Sequence, residues 1–493
     1  MNCFFYVTNK KYSERLGLIV NRLYDKLSDY SKMDYYPMHM PGHKRNTGLL
    51  SFGNPYSIDI TEIEGFDNLH QAEGILLELG KRLQKLYGAD QSYPLVNGST
   101  VGILAGISAL AERGSRIIIA RNCHKAVYHA VLLRELEPVY LYPELIPQSS
   151  INGGIQAREI EELLITYPDV KLVAITSPTY EGVVSDIRAI ADAAHRAGAL
   201  LLVDEAHGAH FGFHEAFPQS AVTQGADIVI QSLHKTLPAF TQTAVLHSNT
   251  PEYNRLLEHY LAIYESSSPS YLLMAGIDRC ISLIEDHGKE LFDVYYDRLC
   301  RFYGSMGALK QLHLMDRSIV GCSGVYDLDP SKLTIRIRSE GLTGPELFRK
   351  LSTEYHIIPE METRDYVVGM TGICDTEEGF DRLQGALLKL DEELSGWGTN
   401  RRNCSEEISK PDRAMLPYEA LEALTEEIRL SEGKGRVSAA FISIYPPGIP
   451  ILVPGEIIDD NVLKYLERVR QDGLTITGLL GTDRDRIRVV GRG

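Results

Sequence analysis

The chain has 493 residues, of which 44% are hydrophobic and 24% are charged, the balance of an ordinary globular protein. Its formal net charge of -16 at pH 7 argues against a nucleic-acid-binding protein, which needs a basic surface. The seven cysteines are scattered, odd in number and without a CxxC pair, so neither a disulfide framework nor a zinc site is predicted. No secretory signal and no apolar run of membrane-spanning length is evident, which predicts a cytoplasmic protein with no membrane partner.

The predicted elements begin with an N-terminal helical arm over residues 1–36, where apolar residues recur at roughly helical spacing. These residues are Leu16, Leu18, Ile19, Leu23 and Leu27. From about residue 71 to 250 helices and strands alternate, which predicts an α/β fold with a mostly parallel sheet. The predicted helices cover residues 74–87, 99–112, 187–197, 256–264, 271–291 and 418–430. The predicted strands cover residues 116–120, 172–176, 199–203, 226–230 and 332–338.

Composition predicts further domain boundaries after the arm. We expect a major domain over residues 37–325 and a smaller α+β domain over residues 326–391. Gly, Asn, Ser, Arg and Pro then accumulate over residues 392–415, which is typical of an exposed linker. A C-terminal domain over residues 416–493 is predicted to follow.

The residues that are best suited to take part in a reaction lie at two strand ends. Lys235 follows the apolar run 226–230, and Asp204 ends the apolar run 199–203. Parallel α/β sheets bind ligands at the carboxyl ends of their strands. Pyridoxal phosphate (PLP) needs such a pair, a lysine for the Schiff base and a carboxylate facing the pyridine nitrogen. As alternatives, Asp204 can cap the next helix or pair with an arginine, and Lys235 can be a solvated strand-end lysine.

Other segments are consistent with a cofactor site but have ordinary alternatives. Ser99 and Thr100 open the predicted helix 99–112, where backbone N–H groups and two hydroxyls can bind a phosphate. Either residue can instead be an ordinary N-cap. His124 can lie flat on a cofactor ring or be a hydrogen-bonded histidine without a ligand, and the same two interpretations apply to His207.

A zinc site is a third interpretation of the histidines in this region. His207, His210 and His214 are spaced i, i+3 and i+7. Gly208 and Gly212 disfavour a stable helix between them, so no metal site is predicted.

Further short blocks surround these segments in a specific order and spacing along nearly the whole chain. The blocks are Pro41–Lys44, Asp67–His70, Asn97–Thr100, Asn122–Lys125, Ser177–Tyr180, Asp204–Gly208, Ser232–Thr236, Ser266–Tyr271 and Tyr445–Pro450. Together they resemble the PLP-dependent ornithine/lysine/arginine decarboxylases of the aspartate-aminotransferase fold, in the short form typical of Gram-positive bacteria.

The resemblance implies fold type I of the PLP enzymes, with a large domain built on a mostly parallel sheet and a smaller α+β C-terminal region. It implies that Lys235 is the Schiff-base lysine, that Asp204 pairs with the pyridine nitrogen and that His207 is a catalytic group beside them. It also implies other cofactor-binding residues: Ala206 and His124 on the two ring faces, with Ser99, Thr100, Ser232 and His234 at the phosphate.

The same resemblance extends to the partner and the substrate. Ser267 is implied to reach the phosphate of a partner subunit, and hence a homodimer or higher homo-oligomer with shared active sites. His43 and Glu360 are implied to lie near the substrate, with Glu360 beside its distal cation.

The function implied by the resemblance is decarboxylation of a basic L-amino acid to an amine and CO₂, on a route into polyamines. Arginine and lysine are favoured over ornithine, and either Lys235 or His207 is expected to protonate Cα. A PLP-dependent aminotransferase or C–S lyase on the same fold stays open, as do a catalytically inactive PLP-binding regulator and a zinc protein without PLP. Intact Lys235, Asp204 and His124 argue against the inactive regulator.

Overall fold

The computed structural model describes residues 22–399, 410–444 and 448–492. Leu16, Leu18 and Ile19 of the predicted arm, residues 400–409 of the predicted linker and residues 445–447 of the last resemblance block lie outside them. The described residues divide into two compact units, one up to Tyr36 and one from Pro37 onward.

The bounds of the elements, numbered in chain order, are as follows. The helices are α1 (Leu23–Tyr30), α2 (Ile75–Tyr87), α3 (Gly98–Leu110), α4 (Lys125–Leu133), α5 (Ala157–Thr166), α6 (Ile187–Arg196), α7 (Leu233–Thr236), α8 (Asn254–Tyr264), α9 (Tyr271–Met306), α10 (Gly344–Glu354), α11 (Glu377–Glu393), α12 (Pro417–Glu422) and α13 (Asp460–Gln471). The strands are β1 (Tyr36–Met38), β2 (Gln91–Leu95), β3 (Arg116–Ala120), β4 (Glu137–Leu141), β5 (Leu172–Thr176), β6 (Val183–Val184), β7 (Leu200–Asp204), β8 (Ile228–Gln231), β9 (Ala244–Ser248), β10 (Leu312–Leu314), β11 (Asp327–Leu328), β12 (Lys332–Ile337), β13 (Ile357–Pro359), β14 (Met361–Glu362), β15 (Tyr366–Met370), β16 (Thr425–Arg429), β17 (Ile442–Ile444), β18 (Pro450–Leu452), β19 (Ile476–Thr477) and β20 (Arg486–Val490).

The principal sheet has seven strands in the order β2-β9-β8-β7-β5-β3-β4. Five of them, β8, β7, β5, β3 and β4, run parallel to one another. Strand β9 runs antiparallel to both of its neighbours. This sheet, with helices in its connections, confirms the predicted α/β class. Asp204 stands at the carboxyl end of β7, and α7 begins just beyond the carboxyl end of β8, the adjacent parallel strand.

Alternating side chains on the buried strands supply two separate cores, as expected for a sheet covered on both faces. On β5, Ala174 lies in one core, whereas Val173 and Ile175 lie in the other. Helix α3 joins the first core through Ile103, and helix α6 joins the second through Ile190.

Helix α3 approaches the sheet closely because it carries glycine where it faces the strands. A Cβ atom at Gly102 would lie 2.9 Å from Leu95 Cδ1, and one at Gly106 would lie 2.8 Å from Leu202 Cδ1. Since α3 follows the carboxyl end of β2, this close packing holds its first backbone N–H groups at the edge of the sheet where Asp204 lies.

Smaller sheets follow the principal one along the chain. Strands β10, β12, β15 and β14 form an antiparallel sheet. Near the C-terminus, β16 pairs with β20, and β17 pairs with β18 and β19. Helix α13 packs on these last strands in a core of its own, through Val462 and Leu466 against Ile442, Leu452 and Ile487.

Of the predicted helices and strands after the arm, one is wrong and the others are confirmed, strands 116–120 and 172–176 with the predicted ends and the rest with shifted ends. The predicted helix 418–430 is replaced by α12, which ends at Glu422, and by strand β16 over Thr425–Arg429. Strand β16 pairs along its length with β20, and this pairing overrides the local helix propensity. Helix α9 continues to Met306, past its predicted end at residue 291. Of the described helices, none has the length and apolar character needed to cross a bilayer.

Arg121 ties the C-terminal strands to the principal sheet. It follows β3 and is buried, and its guanidinium donates to the Ile451 carbonyl at 3.0 Å and to Glu456 Oε2 at 3.2 Å. It also donates to the Pro450 carbonyl and to Tyr128 Oη. A buried ion pair of this kind depends on both partners, because either one left alone is a desolvated charge.

We therefore expect Glu456→Ala to lower the free energy of unfolding by about 3–5 kcal/mol, because it leaves the buried Arg121 guanidinium without its carboxylate. Urea denaturation measures this loss. Glu427→Ala is the matched control, since Glu427 pairs with Arg488 on the surface and should cost less than about 1 kcal/mol. Equal losses for the two variants would contradict a structural role for the buried pair.

Candidate active site

Lys235 lies on the short helix α7, directly beyond strand β8. Its Nζ is 3.0 Å from His207 Nε2. Burial lowers the pKa of the Lys235 amine, and the Asp204 carboxylate opposes that effect. The amine is therefore more easily deprotonated than that of an exposed lysine, which is the state in which it reacts with a carbonyl.

Asp204 is buried at the end of β7, next to the strand that leads to Lys235. Its Oδ1 accepts a hydrogen bond from the Ala206 N–H at 3.1 Å. Burial raises the pKa of the Asp204 carboxyl, and the positive charge of Lys235 acts in the opposite direction. A cation lying against a carboxylate as deeply buried as this one stabilises its ionised form.

His207 lies between Lys235 and the ring of Tyr180. Its ring lies 4.2 Å from that of Tyr180, measured between centroids, and burial holds the pKa of His207 well below its ordinary value. The imidazole is therefore neutral. The ammonium of the buried Lys332 donates to the His207 main-chain carbonyl at 3.2 Å, which fixes the backbone at this residue.

A cavity of about 260 Å³ brings several of the predicted residues together. The predicted residues that line it are Ser99, His124, Asp204, Ala206, His207 and Lys235. Three further predicted residues do not line it: Thr100, which follows Ser99 on α3, and Ser232 and His234 beside Lys235. His234 Nδ1 lies 2.8 Å from the Thr243 carbonyl, and burial lowers the pKa of His234 to about 4.

The segment that carries His43 packs on α7, and Glu360, the other predicted substrate residue, is bonded to that segment. Next to His43, the Gly42 N–H donates to the His234 carbonyl at 2.7 Å, and a Cβ on Gly42 would come within 2.5 Å of the Leu237 carbonyl oxygen. Glu360 accepts a hydrogen bond from the Met40 N–H at 2.9 Å. Neither His43 nor Glu360 lines the cavity, and their contact with substrate stays a prediction.

Ser267 lies on the loop before α9, as part of a different surface. Its neighbours Ser266 and Ser268 line an open cavity of about 800 Å³ together with Asn97. The predicted contact of Ser267 with a partner subunit stays a prediction.

The three histidines considered as a zinc site have separate partners. His207 lies against Lys235, whereas His210 Nε2 is 3.2 Å from Asp329 Oδ1. His214 lies against Asp293 on α9. Across residues 22–399, 410–444 and 448–492, no three His, Cys, Asp or Glu side chains are grouped so that they could hold a metal.

Comparison with known proteins assigns the chain to a family. The family model described as "Orn/Lys/Arg decarboxylase, major domain" matches residues 21–332, and that of the C-terminal domain matches residues 401–479. The chain belongs to the Orn/Lys/Arg decarboxylase family. This confirms the resemblance on which the sequence analysis relied, and it identifies the protein as an enzyme of the amino-acid decarboxylase class.

Relatives in this family cover the chain almost completely. An arginine decarboxylase of Bacillus subtilis (strain 168) is 30% identical, over 95% of this chain and 97% of that protein. An arginine decarboxylase of Halalkalibacterium halodurans is 32% identical, over 92% of this chain and 94% of that protein. Among solved structures, a lysine decarboxylase of Francisella novicida aligns with a TM-score of 0.76 and 21% identity, covering 94% of this chain and 80% of that one.

The family implies PLP, and aminotransferase structures share the fold. The residues present fit this cofactor. Within the described part of the chain, the buried hydroxyls of Ser232 and Thr176 have no hydrogen-bond partner, so both can still donate to or accept from a ligand. Asp204 and Lys235 supply an anion and an amine in one cavity, as the cofactor ring and its aldehyde require.

Sequence reasoning missed several residues that line this cavity. Asn152, Tyr180, Glu181 and Ile449 all line the cavity, although they come from three segments far apart in the sequence. Tyr180 and Ile449 belong to blocks that carry the resemblance and were open to prediction. Asn152 and Glu181 carry no local pattern, because only the packing of distant loops places them at the cavity.

Glu205, next to Asp204, faces away from the cavity into a buried polar cluster. It accepts hydrogen bonds from Ser220 Oγ at 2.7 Å, the Ala221 N–H at 2.8 Å and Gln231 Nε2 at 2.6 Å. Burial raises the pKa of Glu205 from 4.5 to about 7. Because the folded-state pKa is the higher one, the folded form holds its proton more tightly, and the resulting stability is present below pH 4.5 and lost as the pH rises through 7.

We therefore expect the free energy of unfolding of the wild type to fall by roughly 3 kcal/mol between pH 4.5 and 7 because of Glu205. The Glu205→Gln variant should not show this fall. Urea denaturation at a series of pH values gives the difference between the two profiles, in which the other titrating groups cancel. The same substitution at the exposed Glu467 is the control and should leave the wild-type profile unchanged. Parallel stability profiles for Glu205→Gln and wild type would contradict the raised pKa of Glu205.

Proposed function

We propose that this protein is a PLP-dependent decarboxylase of arginine or lysine, with ornithine a less favoured substrate. The observation that carries the proposal is the half-buried Lys235 amine, 3.0 Å from His207 and in one cavity with the buried carboxylate of Asp204. Relatives named arginine decarboxylase and lysine decarboxylase support this substrate class. An aminotransferase shares the fold, but the match to the decarboxylase C-terminal domain favours decarboxylation.

The residues that would hold the cofactor belong to four segments at one edge of the sheet. Ser99, Thr100, Ser232 and His234 would bind its phosphate, with Ser267 of a second subunit completing the site. His124 and Ala206 would cover the two faces of its ring. When bound, PLP would supply an electrophilic aldehyde with which the Lys235 amine can react, and a cationic ring that can accept the electron pair released as CO₂ leaves.

Asp204 would keep a positive charge on the ring nitrogen. Because Asp204 is buried at the end of a rigid strand, its negative charge is already oriented before the reaction begins. The same arrangement would balance the charge in the cavity, since a buried carboxylate needs a facing cation.

Lys235 and His207 would handle the proton at Cα. The two nitrogens are within hydrogen-bond distance, so a proton can pass between them without a large movement. The neutral state of His207 makes it an acceptor for the Lys235 ammonium, and Lys235 is the group that would release the product amine.

The assembly and cellular role are part of the proposal. A homodimer would follow from the use of Ser267 in the partner's site, and assembly above the dimer is left open. The amine product, agmatine or cadaverine, would enter polyamine synthesis. The domain boundaries and the cytoplasmic location given in the sequence analysis stay predictions.

The test is CO₂ release from arginine, lysine and ornithine by the purified protein with added PLP. We expect release from arginine or lysine, and a loss of at least about 10³-fold in turnover in Lys235→Ala, because the nucleophile that exchanges the product is removed. Lys289→Ala is the control, since Lys289 is an exposed residue of α9 paired with Asp293. Undiminished turnover in Lys235→Ala would reject the proposed site. Keto-acid formation without CO₂ would instead indicate an aminotransferase.

A further inference from the structure

Lys332 is a fully buried lysine at the start of strand β12, and the proposed function gives it no role. It does not line the cavity, but its ammonium lies against the backbone of His207, which does. A lysine is almost never buried completely unless its charge is paired and its N–H groups are hydrogen-bonded. The partners of Lys332 therefore indicate what its position serves.

Three oxygens of the protein surround the Lys332 ammonium. The His207 main-chain carbonyl, Ser331 Oγ and Asp329 Oδ2 each lie 3.2 Å from its Nζ. Because an ammonium has three N–H donors, each donor has an acceptor here. Lys332 thus needs no ligand to complete its bonding, and its contact with His207 is part of a closed arrangement.

Asp329 holds this cation in place. Its Oδ1 accepts from the Ser331 N–H at 2.9 Å and lies 3.2 Å from His210 Nε2. Burial lowers the pKa of His210, so that imidazole is neutral and Lys332 is the cation of the pair. Burial raises the pKa of Asp329, but Lys332 and the other partners outweigh it, and the net pKa is below the ordinary value. The positive end of the ion pair therefore faces His207 and the negative end faces His210.

The segment 329–332 also binds the turn on the other side of the His207 ring. The Asp329 N–H donates to the Gly182 carbonyl at 2.9 Å, and a Cβ at Gly182 would lie 3.0 Å from Lys332 Cβ. Gly182 comes two residues after Tyr180, whose ring lies 4.2 Å from that of His207. One rigid segment thus holds both the main chain of His207 and the turn that carries its ring neighbour.

The charge of Lys332 acts on both nitrogens that would handle the proton. Burial is the main cause of the lowered pKa of His207 and of Lys235, and the cation of Lys332 lowers both further. A neutral amine reacts with a carbonyl, and a neutral imidazole accepts a proton. The other charged or titratable groups that act on this pair are His124 and His234, on His207, and Asp204 and Glu360, on Lys235.

We propose that Lys332, paired with Asp329, is a positioning residue that holds the His207 imidazole against the Lys235 amine. Lys332 acts through His207, because it binds the His207 carbonyl and does not line the cavity. The inference rests on the proposed function, in which His207 and Lys235 handle the proton at Cα. A displacement of about 1 Å in such a pair can cost on the order of 100-fold in rate.

The test variant is the double substitution Lys332→Met with Asp329→Asn. Lys332→Met alone would leave Asp329 as an unpaired buried carboxylate and destabilise the fold, whereas the double variant removes both charges and nearly keeps the side-chain shapes. The matched control is Lys289→Met with Asp293→Asn, which removes the same two charges from an exposed ion pair on α9. Thermal melting shows that each variant is folded.

The first measurement uses the protein without PLP. Competitive acetylation at a series of pH values, analysed by mass spectrometry, gives the titration midpoint of the Lys235 amine. Deuterium exchange at the imidazole C2 position gives the midpoint of His207. We expect both midpoints to rise in the double variant, because a cation that opposes their protonation is removed. The control should keep the wild-type midpoints.

The second measurement uses the protein with PLP, on the substrate that the wild type decarboxylates. We expect kcat to fall about 10- to 100-fold in the double variant with KM changed less than about 3-fold, because substrate binding is retained while the proton-handling pair is misplaced. The control should keep the wild-type kcat and KM.

Raised midpoints together with a loss confined to kcat would support the inference. Wild-type midpoints in the double variant, or a wild-type kcat, would overturn it. A loss shared by kcat and KM would also overturn it, since it would indicate a general structural role. A wild-type protein that releases no CO₂ from arginine, lysine or ornithine would instead refute the proposed function, and the midpoints in the PLP-free protein would still decide whether Lys332 acts on His207 and Lys235.

Discussion

The site depends on two neighbouring parallel strands that end in opposite charges inside the protein. Strand β7 ends in the buried Asp204, and the exit of β8 carries Lys235, whose amine lies against His207. Burial destabilises the charged forms of both groups, raising the pKa of Asp204 and lowering that of Lys235, and each group partly offsets the effect on the other. The two residues are therefore poised to exchange their mutual interaction for contacts with a ligand that carries a cation and a carbonyl.

Several segments that are far apart in the sequence hold the carboxyl ends of the parallel strands in place. Glycines on α3 let its N-terminus reach the sheet closely, and the segment around Gly42 packs on α7 through a hydrogen bond to His234. Arg121, just past β3, binds the backbone of β18 and the carboxylate of Glu456. Through these contacts the C-terminal strands are attached at the end of the sheet that bears the cavity, and Ile449 lines its wall.

The sequence predicts the principal sheet well because buried parallel strands are continuous apolar runs, and a polar residue at the end of such a run stands out. Lys235 and Asp204 stand out in this way, and the structure places both at one cavity. The helix predicted in place of strand β16 is wrong because the pairing of β16 with β20 is invisible to local periodicity.

Residues whose position depends on a distant partner are beyond sequence reasoning for the same physical reason. Glu181 has no local pattern, and its place in the cavity depends on the hydrogen bond from Tyr366 and on the turn at Gly182. Glu205 directly follows Asp204 in sequence, yet it faces a separate buried cluster with Ser220 and Gln231. Adjacent carboxylates at a strand end thus have different environments, which only the folded structure distinguishes.

The most direct test of the account is the identity of the lysine that carries the cofactor. The wild-type protein is loaded with PLP, reduced with sodium borohydride and digested, and the modified peptide is identified by mass spectrometry. Our account predicts a phosphopyridoxyl group on Lys235. A label confined to another lysine, such as the cavity-lining Lys125 or the buried Lys332, or no label at all, would contradict it.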